Sequence, residues 1–226
     1  ADFQRECAVK YEFPVINHID DVLPHIEHDN SFVVARKDTY TAIDYVVVTS
    51  DSFRPLGIDR NSDIRSKIRR ECRGLIFDNF TGGLIRRPYH KFFNVGEREE
   101  TLTTNLPFDW RFDVITKLDG SMIAPFMTSD GVLRWGTKLG ETTVAEPVKH
   151  WINWNTKGAR YNEFAIEMIQ YGWTPIFEWM SRENRIIIDY GVEPKLVLTG
   201  IRYMRTGLYM ERHRMSVLAE QYGIPL

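Results

Sequence analysis

Short runs of β-branched and aromatic residues alternate with tight turns along most of the chain, a pattern that predicts an antiparallel sheet. The stretch 113–127 is predicted to form two strands joined by a turn at Gly120. The other predicted strands are 31–37, 41–49, 73–79, 83–92, 132–138, 174–180, 185–190 and 195–203. Residues 51–63 are rich in proline, glycine, asparagine, serine and aspartate, and we expect them to form a loop.

Helical periodicity occurs in two places. Apolar residues recur at three- and four-residue steps from 144 to 171, with an interruption at 156–158. A terminal helix is predicted at 211–222, ending at Gly223. Because the sequence contains no internal repeat, low-complexity tract or linker, it predicts a single α+β domain over 1–226.

Composition places the chain among soluble globular proteins, since 43% of its 226 residues are hydrophobic and 27% are charged. The longest aliphatic run, Val46–Val48, is far shorter than the roughly 20 residues that span a bilayer, and the first residues do not resemble a secretory signal. Two cysteines, Cys7 and Cys72, are too few for a disulfide framework. We therefore expect no membrane partner and a reducing, cytoplasmic location.

The charge is unevenly distributed along the chain. The net charge of −2 argues against a general nucleic-acid coat, but residues 65–91 hold eight basic residues against two acidic ones, a net charge of +6. Such a segment suits a site for polyphosphate or for an RNA backbone. A solvated charged face is the alternative interpretation.

The string Lys117-Leu118-Asp119-Gly120-Ser121 carries candidate chemistry. A lysine becomes a nucleophile toward phosphorus when its amine is neutral, and a neighbouring glycine lets the backbone approach a nucleotide closely. An aspartate at this place can accept a hydrogen bond or hold a metal-bound water. Taken alone the pattern is weak, and a turn with a salt-bridged lysine explains it equally well.

Four further strings accompany the lysine in a fixed order: ECRG (71–74), HKFFN (90–94), WGTKLG (135–140) and FEW…NRI (177–186). Together the five strings resemble the covalent nucleotidyltransferases, and within them the type-1 phage RNA ligases that repair cleaved tRNA anticodon loops. KFFN is a hallmark narrower than the superfamily. The resemblance covers about residues 70–205.

The resemblance implies a fold, an activity and partners. The implied fold class is α+β, an antiparallel-sheet nucleotidyltransferase domain of the ATP-grasp-like ligase type with flanking helices. The implied activity is that of an ATP-dependent RNA ligase, which joins a 5′-phosphate to a 3′-hydroxyl through a lysyl-AMP intermediate. ATP and Mg²⁺ are the implied cofactors, cleaved tRNA anticodon loops are the implied RNA ends, and the cytoplasm of a phage-infected cell is the implied location.

The resemblance also assigns residues. Lys117 matches the nucleophile that attacks the α-phosphate of ATP. The residues matching nucleotide-binding positions are Thr116, Arg73, Lys91, Phe93, Lys138, Glu178 and Gly120. Phe93 is expected in the pocket wall, with base stacking as the alternative. Glu178 is expected to accept a hydrogen bond from a ribose hydroxyl, or else to contact metal.

The chain departs from the family in one respect. The later Glu-Gly and Lys-x-Lys motifs of the nucleotide pocket do not occur after Lys195. We therefore expect a domain truncated before these two motifs. A fragment that binds nucleotide or RNA ends without sealing them is an alternative, and DNA ligases and capping enzymes share the lysine motif.

Overall fold

The computed structural model describes residues 11–106, 108, 112–181 and 193–226. The strands are β1 (Phe32–Arg36), β2 (Tyr40–Tyr45), β3 (Arg73–Asp78), β4 (Leu84–Arg86), β5 (Ser121–Met127), β6 (Leu133–Gly136), β7 (Trp173–Met180) and β8 (Lys195–Tyr203). The helices are α1 (Leu23–Ile26), α2 (Arg60–Glu71), α3 (Glu146–Trp154), α4 (Gly158–Gln170) and α5 (Arg212–Tyr222), with 3₁₀ turns at Ile19–Asp21, Glu99–Thr101 and Thr103–Asn105.

The strands form two antiparallel sheets of four strands each, in the orders β1-β2-β3-β4 and β6-β5-β7-β8. In the first sheet Asp44 of β2 lies opposite Arg73 of β3, beside a register shift. In the second sheet Met122 of β5 lies opposite Glu178 of β7. The predicted antiparallel architecture is confirmed, and two strings of the sequence that matched the family are now on neighbouring strands.

Each sheet has its own apolar core. Helices α4 and α5 pack on the second sheet and α3 packs on α4, around buried residues such as Phe164 and Phe177. Helices α1 and α2 contribute to a core on the first sheet that includes Phe53 and Leu75. Among the helices described, none has the length and apolar character needed to cross a membrane.

The helix α2 differs from the prediction, which assigned 51–63 to a loop. Asp59 caps this helix by accepting from the backbone N–H groups of Asn61 and Ser62. The same polar residues are typical of loops and of helix N-termini, because their side chains satisfy free backbone donors in both. Only residues 60–63 of the predicted loop are helical, and the helix continues through basic residues to which the sequence assigned no element.

Two predicted strands are shorter than expected, and a third does not form. The strand β2 ends at Tyr45 rather than at 49, because β1 begins at Phe32, the residue opposite Tyr45. The strand β4 stops at Arg86, since the next N–H, that of Arg87, donates to the side chain of Thr174. The stretch 113–117 is not a strand: Val114 and Ile115 are exposed, so its β-branched side chains lack the packed surface that favours a strand. The predicted strand at 185–190, and with it the NRI part of the last string, lies outside the described residues.

A buried arginine connects the two sheets. Arg86, in β4, has no exposed surface and donates to the backbone carbonyls of Gly74, Ala124, Gly136, Thr137 and Lys138. These carbonyls belong to β3, to β5 and to the end of β6 and the turn that follows it. The guanidinium thus fixes the first sheet to the β5–β6 hairpin through backbone carbonyls.

A second buried link joins α2 to β8. Glu71 accepts from Arg87 at 3.1 Å and from Arg202 at 2.7 and 2.8 Å, and all three side chains are fully buried. Burial alone would raise the pKa of Glu71, but the charges of Arg202 and Arg87 outweigh it and lower the pKa to about 2. The network stays ionised because each charge has a partner.

Candidate nucleotide site

The nucleophile candidate Lys117 lies in an exposed, irregular segment that runs into the start of β5. The prediction placed it at the end of a strand, which is wrong for the reason given above. Thr116, immediately before it, is also exposed. Gly120 follows at the turn into β5, where the strand pairs with β7. The β5–β7 pairing brings this turn to Glu178.

Glu178 connects several of the predicted residues. Burial raises the pKa of its carboxyl to about 7, while the charges of Lys117 and Arg73 and a hydrogen bond from the N–H of Gly120 lower it. The carboxylate of Asp119 raises it further. A carboxylate so placed is a hydrogen-bond acceptor directly beside the nucleophile candidate.

Arg73, the first residue of β3, connects the first sheet to this group. Its guanidinium carbon is 5.4 Å from the centre of the Phe92 ring, and its charge acts on both Glu178 and Asp44. Its Nη1 is buried and has no hydrogen-bond partner among the described residues. A buried guanidinium N–H is costly without an acceptor, so this donor is available to a ligand.

Lys138 lies on the other side of Arg73. Its ammonium is 3.3 Å from Asp44 and 5.3 Å from the centre of the Tyr45 ring. Gly74, with φ of +86°, passes so close that an added Cβ would lie 3.1 Å from the Cα of Lys138. A side chain at residue 74 would displace Lys138, which explains the glycine in ECRG.

Lys91 and Phe93 complete the cluster. The Lys91 ammonium lies 4.6 Å from the centre of the Phe93 ring and 5.8 Å from that of Tyr45. Phe93 packs against the core of the first sheet, with its ring centre 6.3 Å from that of Phe53. Phe93 and Tyr45 therefore pack against the core of the first sheet, while Lys91 lies near both rings and Lys138 near that of Tyr45.

The predicted residues thus form two groups that share Arg73. Lys117, Gly120 and Glu178 meet at the start of β5, while Lys138, Lys91 and Phe93 gather around Tyr45. Asp44 and Tyr45 of this cluster lie in none of the matched strings, so the strings did not predict them. The signal that could have found them is the pairing of β2 with β3, which places Asp44 opposite Arg73.

The carboxylates of the site bear on metal binding. No group of three or more histidine, cysteine or acidic side chains suited to a metal ion occurs in the part of the chain that the structure describes. Mg²⁺ commonly takes one or two carboxylates together with phosphates of a nucleotide. Glu178 and Asp119 fit that donor set only with a nucleotide present.

Comparisons with known proteins identify the family of the chain. A family model described as RNA ligase, of the T4 RNA ligase 1 type, matches residues 71–226. A Thermovibrio ammonificans protein named "Putative RNA ligase" is 30% identical over 192 residues, covering 85% of this chain and 46% of that protein. RNA ligase 1 of bacteriophage TS2126 is 26% identical over 147 residues, covering 62% of this chain and 36% of that protein.

Solved structures agree on the fold. An archaeal ATP-dependent RNA ligase matches with a TM-score of 0.56 and 14% identity, covering 90% of this chain and 48% of that chain; a second form has a TM-score of 0.54. The predicted α+β nucleotidyltransferase-type fold is confirmed. The chain spans about half the length of the relatives it matches. With the family model covering residues 71–226, the chain belongs to the RNA ligase family of the T4 RNA ligase 1 type.

Proposed function

We propose that residues 1–226 form the adenylyltransferase domain of an ATP-dependent RNA ligase, with Lys117 as the nucleophile. The observation that carries this proposal is the β5–β7 pairing, which brings the turn after Lys117 to Glu178, where the charges of Lys117 and Arg73 act on the carboxylate. A nucleophilic amine, an acceptor for ribose and a cation for phosphate are what transfer of AMP to lysine requires.

In the proposed reaction the exposed Lys117 ammonium loses one proton to solvent, and the neutral amine attacks the α-phosphorus of ATP. A phosphorus–nitrogen bond forms, the bond from the α-phosphorus to the bridging oxygen breaks, and pyrophosphate leaves. Arg73, Lys91 and Lys138 would stabilise the negative charge on the phosphate oxygens. The Glu178 carboxylate would accept a hydrogen bond from a ribose hydroxyl and so orient the α-phosphate.

Mg²⁺ bound with ATP would supply further neutralisation of phosphate charge, with Glu178 and Asp119 as the available carboxylates. In the later steps an RNA 5′-phosphate oxygen displaces Lys117 from AMP, and an RNA 3′-hydroxyl then displaces AMP. We propose cleaved tRNA anticodon loops as the source of the RNA ends and the cytoplasm of a phage-infected cell as the location. The family resemblance supports both.

The test is incubation with ATP labelled at the α-phosphate and Mg²⁺, followed by denaturing electrophoresis. We expect label on the parent protein and none on Lys117→Ala or Lys117→Arg, since a guanidinium stays protonated. Lys157→Ala, which removes an exposed lysine at the start of α4, should label like the parent. Label on Lys117→Ala would refute the assignment.

A second candidate is a domain that binds nucleotide or RNA ends without sealing them. It is favoured by the lack of the Glu-Gly and Lys-x-Lys motifs within these residues. We propose that sealing needs those motifs. Sealing of a nicked anticodon stem-loop by this chain, at the rate of a longer relative, would contradict that proposal. Absence of covalent label would favour the binding function.

A further inference from the structure

Asp44 is a buried carboxylate beside the cations of the site. It lies in β2 opposite Arg73, and only 6% of its side chain is exposed. Its Oδ2 is 3.3 Å from the Lys138 ammonium, whose own side chain is 37% exposed. The carboxylate is therefore paired with Lys138 and lies within electrostatic range of Arg73, two of the cations predicted to bind the nucleotide.

The partners of Asp44 are incomplete. Its Oδ1 is buried and has no hydrogen-bond partner within the described residues, which is equally true of Nη1 of Arg73. Burial raises the pKa of Asp44, whereas Lys138 and Arg73 lower it. Buried polar atoms are nearly always paired, so an unpaired acceptor and an unpaired donor here indicate a site arranged for more than folding.

Asp78, at the end of the neighbouring strand, shows what a structural carboxylate looks like in this sheet. It is also buried, but its Oδ2 accepts from the backbone of Phe80 and Thr81 and its Oδ1 accepts from that of Ser129. Both oxygens of Asp78 are used by turns of the chain. Asp44 also receives a backbone hydrogen bond, from Tyr45, but its ion pair is with Lys138 of the site and its Oδ1 has no partner among the described residues.

We propose that Asp44 is a positioning residue, the buried counter-ion that holds Lys138 and Arg73 in place for the phosphates of ATP. The inference rests on the proposed function and extends it to a residue outside the matched strings. Asp44 acts through the two cations and does not contact phosphate, because a carboxylate and a phosphate repel each other. Cations held in advance stabilise the transferring phosphate better than mobile ones.

The experiment is a double-mutant cycle. Asp44→Asn, Lys138→Gln and the double variant are compared for kcat and KM of covalent labelling by ATP. If Asp44 acts through Lys138, the double variant should be no worse than the worse single variant. Its kcat/KM should then be about 10-fold higher than the product of the two single effects predicts. Asp78→Asn is the matched control: combined with Lys138→Gln, it should give the product of the two single effects.

Binding gives a readout that does not depend on catalysis. An ATP analogue with a methylene bridge between its α- and β-phosphates is titrated by calorimetry into the same variants. If the analogue binds the parent and the variants show the Asp44–Lys138 coupling in its affinity, but the parent is never labelled by ATP, the proposed function fails and the positioning role survives. Independent effects of Asp44→Asn and Lys138→Gln, in both labelling and binding, would overturn the positioning role.

Folding of each variant is checked by circular dichroism. Asp44→Ser replaces Asp44→Asn should the asparagine variant not fold, because serine is smaller and keeps one acceptor. We expect Asp44→Ser combined with Lys138→Gln again to be no worse in labelling than the worse single variant. A serine variant with parental kcat and KM would also overturn the proposal.

Discussion

Gly120 donates its backbone N–H to the carboxylate of Glu178, at the point where β5 begins to pair with β7. The glycine is required by close approach and not by an unusual backbone angle. A Cβ added to Gly120 would collide with the backbone carbonyl oxygen of Trp179, which cannot move without breaking the strand pair. The turn that carries Lys117 is thereby held against the acceptor that we assign to ribose.

Gly120→Ala should therefore lower the rate of Lys117 labelling by roughly 10- to 100-fold, because it moves the N–H away from a charged acceptor. The measurement is the initial rate of AMP labelling at saturating ATP. Gly83→Ala is the control, since an added Cβ there meets only the Thr81 hydroxyl at 3.2 Å and the Asn17 carbonyl at 4.0 Å. Equal rates in the two variants would mean that the close approach at Gly120 has no role.

Glu178 should make stability depend on pH. Its pKa is about 7 in the folded chain against an ordinary value of 4.5, so the unfolded state loses its proton first as pH rises. The stability that this group contributes is present below pH 4.5 and is lost as pH rises through 7. Glu178→Gln should then be more stable than the parent at pH 8 by roughly 1–3 kcal/mol, with little difference at pH 4.5.

Urea unfolding at several pH values from 4.5 to 8 measures this difference. Glu163→Gln serves as the control because Glu163 is exposed on α4. A difference between parent and Glu178→Gln that does not change with pH would contradict the burial of this carboxylate.

A second pair of variants distinguishes two possible roles of Glu178 in the reaction, binding ribose and contacting metal. If the carboxylate accepts from ribose, Glu178→Gln should label faster than Glu178→Ala, because glutamine keeps one acceptor. If it contacts metal, glutamine should be nearly as poor as alanine, since a neutral amide is a weaker partner for Mg²⁺. Labelling rates across a Mg²⁺ titration distinguish the two outcomes, and parental rates in both variants would remove Glu178 from the site.

Much of the architecture follows from local patterns, and the exceptions have physical causes. The strands around Phe77 and Phe177 and the helix ending at Gly223 are strongly patterned, so they were predictable. The helix after Asp59 was not, because its first turn is polar and local composition does not distinguish a cap from a loop. Asp44 was missed because its importance comes from strand pairing, which brings together residues far apart in the chain.

Arg86→Lys should destabilise the protein by about 3 kcal/mol, because one ammonium has three donors for five carbonyls and leaves buried acceptors unpaired. Burial lowers the pKa of Arg86 to about 9, so the guanidinium is still protonated at pH 7. Its planar arrangement of five N–H donors matches the surrounding carbonyls, and lysine cannot reproduce it. Urea unfolding measures the loss, with exposed Arg36→Lys as control. Equal stability of the two variants would contradict the role of Arg86 between the sheets.

Glu71→Gln should cost about 3 kcal/mol at pH 7, because it leaves two buried arginines without a counter-charge. With its pKa lowered from 4.5 to about 2, Glu71 contributes stability above pH 4.5 that is lost as pH falls toward 2. The variant should lack this acid sensitivity. The check is urea unfolding at pH 7, 4 and 3, where the gap between parent and variant should narrow with each step; a gap as large at pH 3 as at pH 7 would refute the assignment.

The pairing of Glu71 with Arg202 also orders events during synthesis. The two residues are 131 positions apart, whereas Arg87 follows Glu71 by only 16. When the first sheet leaves the ribosome, Glu71 has one of its two arginines and β8 has not yet been made. With Arg87 alone, Glu71 lacks the two hydrogen bonds that Arg202 donates, and a buried acceptor without its donors is unfavourable. We therefore expect the final packing around Glu71 to wait for β8, so that the two sheets complete their folding together.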